Sequence, residues 1–139
     1  VAQPHGEWRA ATAGIKLLVE DIKDAFVITE LPYNHLQYKQ TALHLIDQLY
    51  GVVGGIRMNG SAAAAICYVA IGRFDAWMEA FLGKWDYSAA ALIVQEAGGR
   101  VTDFCGNGHF MDGHHIIATN GYLHSVYQQL IAEVPPLDM

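Results

Sequence analysis

Apolar residues recur along the chain in two patterns, as short continuous runs and as longer stretches with helical spacing. The continuous runs predict five short strands, at about 25–29, 56–59, 74–81, 100–104 and 115–119. The helical spacing predicts four helices, at about 34–50, 61–71, 85–97 and 123–134, the last stopped by Pro135-Pro136. Strands that alternate with helices in this way predict a layered α/β fold, with helices on both faces of one sheet.

The length and composition narrow the class of protein. A chain of 139 residues with 53% hydrophobic side chains is long enough for one globular domain. A net charge of −6 argues against nucleic acid as a partner, and no apolar run is long enough to span a membrane. Cys67 and Cys105 follow no zinc or disulfide pattern, so we expect reduced thiols and a cytoplasmic setting.

The segment Trp85–Gly99 carries the most information. Its residues are apolar on more than one side, so we expect the helix to lie between layers, and Gly98-Gly99 to end it with positive φ angles. Asp86 stands where the apolar run begins. It is either the residue that caps the helix or a carboxylate that faces a cleft and binds a hard cation, and the two roles are compatible.

Other motifs around this segment point to a family. Gly60-Ser61-Ala62 lies where a strand turns into an Ala-rich helix, Glu79 precedes Asp86 by seven residues, and Trp85-Asp86 leads to Glu96-Ala97-Gly98-Gly99. Together these motifs resemble the C-terminal half of the inositol monophosphatase family of magnesium-dependent, lithium-sensitive phosphatases, over about residues 13–134. The resemblance implies a layered α-β-α sandwich with a mixed sheet of about five strands.

The resemblance also implies roles for particular residues. Asp86 would be a ligand of Mg²⁺, and Glu79 would bind substrate hydroxyl groups. Gly60, Ser61 and Ala62 would contact the substrate, mostly through their backbone. From the residues alone, Glu79 could instead be a solvated strand end, and the Gly60–Ala62 turn could be a packing device between a strand and a helix.

Part of the family's machinery is missing from the sequence. The Glu-Glu pair and the Asp-Pro-Ile-Asp-Gly-Thr type motif of the family's N-terminal half do not occur, and Asp112-Gly113 is the only Asp-Gly. The chain also begins at Val1 without an initiator Met. We therefore expect a C-terminal half that lacks the water-activating residues, partners with an N-terminal half, and has no turnover by itself. The resemblance also suggests a homodimer.

Three further sets of polar residues have ordinary structural interpretations. Asp75 alternates with Trp77 and Glu79, which puts the three on one face of a strand, and a structural hydrogen bond is its expected role. Arg57 is either structural or a contact to a subunit or the site. His109, His114 and His115 surround Asp112, but a surface loop explains them better than a metal site does.

These observations leave several functions open. The favoured one is a phosphomonoesterase that hydrolyses myo-inositol monophosphate, or a related polyol phosphate ester, with metal-activated water. Relatives that act on bisphosphorylated nucleotides or fructose 1,6-bisphosphate are alternatives within the class. The competing classes are an inert structural or oligomerising domain and a binding module that keeps a polyol pocket without hydrolysis.

Overall fold

Strands and helices alternate along the chain in the computed structural model, which describes residues 19–32, 35–112 and 114–132. The strands are β1 (Phe26–Thr29), β2 (Gly55–Arg57), β3 (Ala76–Glu79), β4 (Arg100–Thr102) and β5 (Ile116–Thr119). The α-helices are α1 (Lys39–Leu49), α2 (Ala62–Ala70), α3 (Lys84–Glu96) and α4 (His124–Ile131). Short 3₁₀ helices cover Ile22–Asp24, Leu36–Tyr38 and Phe110–Asp112.

The five strands form one mixed sheet in the order β2-β1-β3-β5-β4. Strand β1 pairs in parallel with both β2 and β3, whereas β5 runs antiparallel to β3 and to β4. The mixed sheet of five strands expected from the sequence is therefore confirmed. The connection from β1 to β2 and the connection from β2 to β3 run in opposite directions across the sheet. Right-handed crossovers therefore place their helices, α1 and α2, on opposite faces.

Each face of the sheet carries its own hydrophobic core, so the expected α-β-α layering is also confirmed. One core joins Ile28 and Trp77 to α2 and α3, and the other joins Val27 and Met78 to α1 and α4. The adjacent residues Val27 and Ile28 serve opposite cores, as side chains of successive strand residues must. In the described ranges, no helix combines the length and the apolarity needed to cross a bilayer.

The boundaries of some elements differ from the predicted ones. Strand β3 covers four residues rather than the whole of 74–81, and β4 ends at Thr102 rather than at 104. Strand β2 covers Gly55–Arg57 rather than 56–59. Asn34 and the Pro135-Pro136 stop lie outside the described residues.

The prediction that α3 lies between two layers is wrong for the described chain. Val94 is fully buried, but Trp85 is 82% and Leu92 57% exposed, so one side of the helix packs on the sheet and the other faces outward. The prediction of two positive φ angles also fails in part. Gly98 has a φ of 86°, whereas Gly99 has no positive φ.

Gly99 is instead required by lack of space, because the chain passes close to β5 directly after α3. A Cβ atom at position 99 would collide with the carbonyl oxygen of Thr119 and lie 2.6 Å from Val94 Cγ1. We expect Gly99→Ala to lower the free energy of unfolding by about 1–3 kcal/mol, the usual cost of overpacking.

Gly108→Ala is the matched control, because a Cβ there meets nothing within 4 Å and its φ is not positive. Urea unfolding followed by circular dichroism measures both variants. Equal stability of the two would contradict the close approach of α3 to β5.

Candidate active site

A cleft of about 1060 Å³ opens at the carboxyl ends of the parallel strands β1 and β3. This edge of a parallel sheet is where α/β proteins usually bind their ligands. Its lining contains no Lys or Arg among the described residues and consists of Glu30, Leu31, Pro32, His35, Met58, Gly60, Ser61, Ala62, Ala63, Glu79, Phe81, Leu82, Gly83, Trp85 and Asp86. The structure thus brings Gly60, Ser61, Ala62, Glu79 and Asp86 around a single cavity.

Two helices begin at this cleft. Ser61 caps α2, with its Oγ accepting a hydrogen bond from the N–H of Ala64 at 3.4 Å. Gly83 occupies the capping position of α3 and Asp86 lies inside the first turn, so the alternative in which Asp86 itself caps the helix is wrong. A carboxylate in the first turn is still favoured by the partial positive charge of the helix N-terminus.

Asp86 is an exposed carboxylate on the cleft wall, and no hydrogen bond or ion pair engages it among the described residues. Carboxylate oxygens are the donors that Mg²⁺ prefers, so Asp86 fits the role of a metal ligand. The described part of the chain contains no group of three His, Cys, Asp or Glu side chains that could hold a metal ion. Asp86 is therefore a single candidate ligand, and the described residues do not form a complete metal site by themselves.

Glu79 ends β3 and is only 6% exposed, so it is not the solvated strand end that the residues alone allowed. Burial, followed by the negative charges of Glu30 and Asp86, raises the pKa of Glu79 to about 8. The carboxyl group is therefore largely protonated at neutral pH and can both donate and accept a hydrogen bond. A buried carboxyl with a raised pKa inside a cleft is typical of a functional site.

The Gly60–Ala62 turn is held by a residue that the sequence analysis did not identify. Glu30 Oε1 accepts hydrogen bonds from the N–H groups of Asn59 at 2.7 Å and Gly60 at 2.8 Å. The N–H of Gly60 is thus already occupied. A signal was present in the sequence, since Glu30 is the first polar residue after the buried run of β1, at the edge where parallel strands place ligands.

The other polar residues that the sequence singled out have structural contacts. Asp75 accepts hydrogen bonds from the N–H of Phe26 at 2.8 Å and from Asn120 Nδ2 at 3.1 Å, which confirms the expected structural role. Arg57 lies over the Phe26 ring and donates to the carbonyl oxygen of Ile56.

His114 and His115, which precede β5, are engaged in packing and loop contacts. His115 Nδ1 accepts from the N–H of Phe104 at 3.1 Å, and the ring of His114 lies 4.9 Å from that of Phe81.

Comparisons with known proteins agree with this architecture. The model of the inositol monophosphatase family matches residues 7–136 of the chain. The chain belongs to this family.

Its relatives include the Nus factor SuhB of Pseudomonas aeruginosa, 40% identical over 116 residues, which are 80% of this chain and 43% of that protein. The inositol-1-monophosphatase of Rhizobium meliloti is 34% identical over 83% of this chain and 43% of its own length. A solved structure of the extragenic suppressor protein SuhB from Bartonella henselae superposes with a TM-score of 0.78 at 33% identity, over 85% of this chain and 45% of that one. This inositol monophosphatase family chain thus spans less than half the length of these relatives.

The raised pKa of Glu79 makes stability depend on pH. The folded state holds the proton up to a pKa of about 8, whereas the unfolded chain releases it near 4.5, so ionisation of Glu79 opposes folding as the pH rises. We expect Glu79→Gln, which cannot ionise, to gain stability over the native protein by up to about 1.4 kcal/mol per pH unit between these values.

Urea unfolding at pH 4.5, 6, 7 and 8, with EDTA present so that no cation stabilises the carboxylate, measures this difference. The exposed Glu20→Gln is the control and should show a small difference that does not grow with pH. A pH-independent effect of Glu79→Gln would show that Glu79 ionises normally in the folded state.

Proposed function

We propose that the whole natural protein is a magnesium-dependent phosphomonoesterase that hydrolyses myo-inositol monophosphate or a related polyol phosphate. The observation that carries this proposal is the cleft in which Asp86 is free and Glu79 is buried, beside two helix N-termini. A cleft lined by carboxyl groups without Lys or Arg does not attract a phosphate ester by itself, so a bound cation is needed to reverse the local charge.

Each residue has a distinct part in this proposal. Asp86 would hold Mg²⁺, which supplies charge neutralisation at the phosphoryl oxygens and lowers the pKa of a bound water. Glu79 would form hydrogen bonds with hydroxyl groups of the leaving alcohol, and the N–H groups at the start of α2, after Ser61, would bind its oxygens. We assign activation of the water to another portion of the protein, because the family motifs for that part do not occur in this sequence.

We further propose that the chain is the C-terminal half of the enzyme. An exposed apolar stripe on α3, formed by Trp85, Ala89, Leu92 and Ile93, supports a covering segment or partner, since such stripes are rarely left in water. The family members compared above are more than twice as long as the matched region. A homodimer in the cytoplasm remains our proposal for the assembled protein.

The substrate class is the least constrained part of the proposal. The cleft lining offers no Lys or Arg for a second phosphate, which favours a monophosphate over bisphosphorylated nucleotides or fructose 1,6-bisphosphate. An inert domain and a polyol-binding module without hydrolysis stay as alternatives. Turnover of the whole protein excludes both, whereas binding of inositol without turnover supports the binding module.

A second candidate function is assembly with other proteins. Relatives from Pseudomonas aeruginosa, Escherichia coli and Vibrio cholerae are each called Nus factor SuhB, and the apolar stripe on α3 gives this chain a surface suited to a partner. Such a function would not depend on Asp86, so a variant at this position that loses hydrolysis and keeps a partner would separate the two functions.

The metal role of Asp86 predicts the effect of its removal. We expect Asp86→Asn in the whole natural protein to lower kcat/KM for myo-inositol 1-phosphate at least about a hundredfold, since a metal centre provides several kcal/mol of transition-state stabilisation. Phosphate release with Mg²⁺, with and without Li⁺, measures this effect.

Asp47→Asn is the matched control, because Asp47 is an exposed helical aspartate in α1, on the opposite face of the sheet. It should keep native turnover. Native turnover in Asp86→Asn would remove Asp86 from the metal site, and turnover without Mg²⁺ would reject the metal-dependent mechanism.

The incomplete metal site predicts that the isolated chain is inactive. Residues 1–139 alone should release no phosphate from myo-inositol 1-phosphate under conditions in which the whole natural protein is active, because one metal carboxylate does not assemble the site. Circular dichroism provides the check that the isolated chain is folded. Lithium-sensitive turnover by the folded chain alone would contradict the proposal that essential residues lie elsewhere.

A further inference from the structure

Glu30, Asn59 and Glu79 lie side by side at the carboxyl edge of the parallel strands. The register pairs Thr29 with Met78, so Glu30 and Glu79 are the next residues of neighbouring strands. Ile28 pairs with Arg57, so Glu30 also stands level with Asn59, two residues further on. Glu30 thus lies between Glu79 and the turn before α2 at this edge of the sheet.

One oxygen of Glu30 holds two successive backbone N–H groups of this turn, at 2.7 Å from Asn59 and 2.8 Å from Gly60. Hydrogen bonds to an ionised carboxylate are shorter and stronger than those between neutral groups. No Lys or Arg in the described part of the chain forms an ion pair with Glu30, so these N–H groups are its partners. The contact links residues about thirty positions apart in the sequence.

The turn has little else to fix its shape. Asn59 and Gly60 are exposed, Gly60 has a φ of 75°, and a Cβ at this position would meet nothing within 4 Å. Packing therefore does not determine the conformation of this segment. The turn also contains a long hydrogen bond of 3.5 Å from Asn59 Nδ2 to the carbonyl oxygen of Ser61.

The contact of Glu30 with this turn also determines which backbone N–H groups remain free to bind a ligand. The N–H groups of Asn59 and Gly60 are occupied by Glu30, and that of Ala64 by the hydroxyl group of Ser61. The N–H groups of Ala62 and Ala63, at the first turn of α2, have no acceptor among the described residues and lie at the cleft. Gly60 therefore contributes the shape of the turn and not a donor.

We propose that Glu30 is a positioning residue for the leaving alcohol of the substrate. By holding the Asn59–Gly60 backbone, it keeps the free N–H groups of α2 at a fixed separation from the carboxyl of Glu79. A leaving group with several hydroxyl groups can then accept hydrogen bonds from the N–H groups of α2 and, at the same time, form a hydrogen bond with the carboxyl group of Glu79. This inference rests on the proposed phosphomonoesterase function.

The positioning role of Glu30 predicts that its removal changes the KM values of two substrates of the whole natural protein to different extents. Glu30→Ala should raise KM for myo-inositol 1-phosphate roughly tenfold, the equivalent of one charge-assisted hydrogen bond, with a smaller change in kcat. KM for p-nitrophenyl phosphate, whose leaving group has no hydroxyl substituents, should change less than twofold. A general loss of structure would affect both substrates alike.

Glu30→Gln keeps an oxygen acceptor without the charge and should restore part of the affinity for the inositol ester. The exposed Glu20→Ala is the control and should leave both KM values unchanged. Amide hydrogen exchange measured by NMR should become faster at Asn59 and Gly60 in Glu30→Ala, while β1 and β3 stay protected. This result would show that the variant is folded and that the contact is lost.

The outcomes separate the two proposals. If the native protein hydrolyses neither ester, the phosphomonoesterase proposal fails and the positioning role fails with it. If the native protein is active and Glu30→Ala raises both KM values equally, or neither, the positioning role is overturned and the proposed function stands. A selective rise for the inositol ester, partly reversed in Glu30→Gln, supports the positioning role.

Discussion

The parallel pairing of β1 with both β2 and β3 is the constraint on which the candidate site depends. Strands that run in parallel end at the same edge, and the helices that follow β2 and β3 must begin there. Residues 30, 60–62, 79 and 86 are far apart in the chain, yet this arrangement places them around one cleft. The antiparallel strands β5 and β4 extend the sheet on the side away from β2 and complete its two cores.

The charges at this edge are unbalanced within the chain. Glu30, Glu79 and Asp86 meet without a basic side chain in the cleft lining, and the two helix N-termini provide the nearby partial positive charge. The pKa of Glu79 is raised, so this carboxyl group keeps its proton at neutral pH, whereas Glu30 accepts hydrogen bonds from two backbone N–H groups. The carboxylate of Asp86 has no partner among the described residues. A cation bound there would offset the negative charge of the cleft.

Several residues of the site could be predicted because their signals are local. Small residues at a strand–helix junction and an acid at the start of an apolar helix are visible in any short window of sequence. Glu30 could not be assigned in this way, because its partners Asn59 and Gly60 come from another strand and meet it only in the parallel register. The exposed apolar stripe on α3 was not predicted either. The helix is apolar on more than one side, and its sequence does not show which side the rest of the chain covers.

The sequence by itself determined the order and type of the helices and strands, because hydrophobic spacing, caps and glycine stops act within a few residues. The tertiary structure decided which polar groups are buried and what holds them. His124 illustrates this, since its ring lies between Thr102 and Thr119, at 2.9 Å from each hydroxyl, and burial lowers its pKa to about 4. Glu79 is the opposite case, with a raised pKa. Burial in the folded chain is the main cause of both shifts, and burial cannot be read from a local sequence pattern.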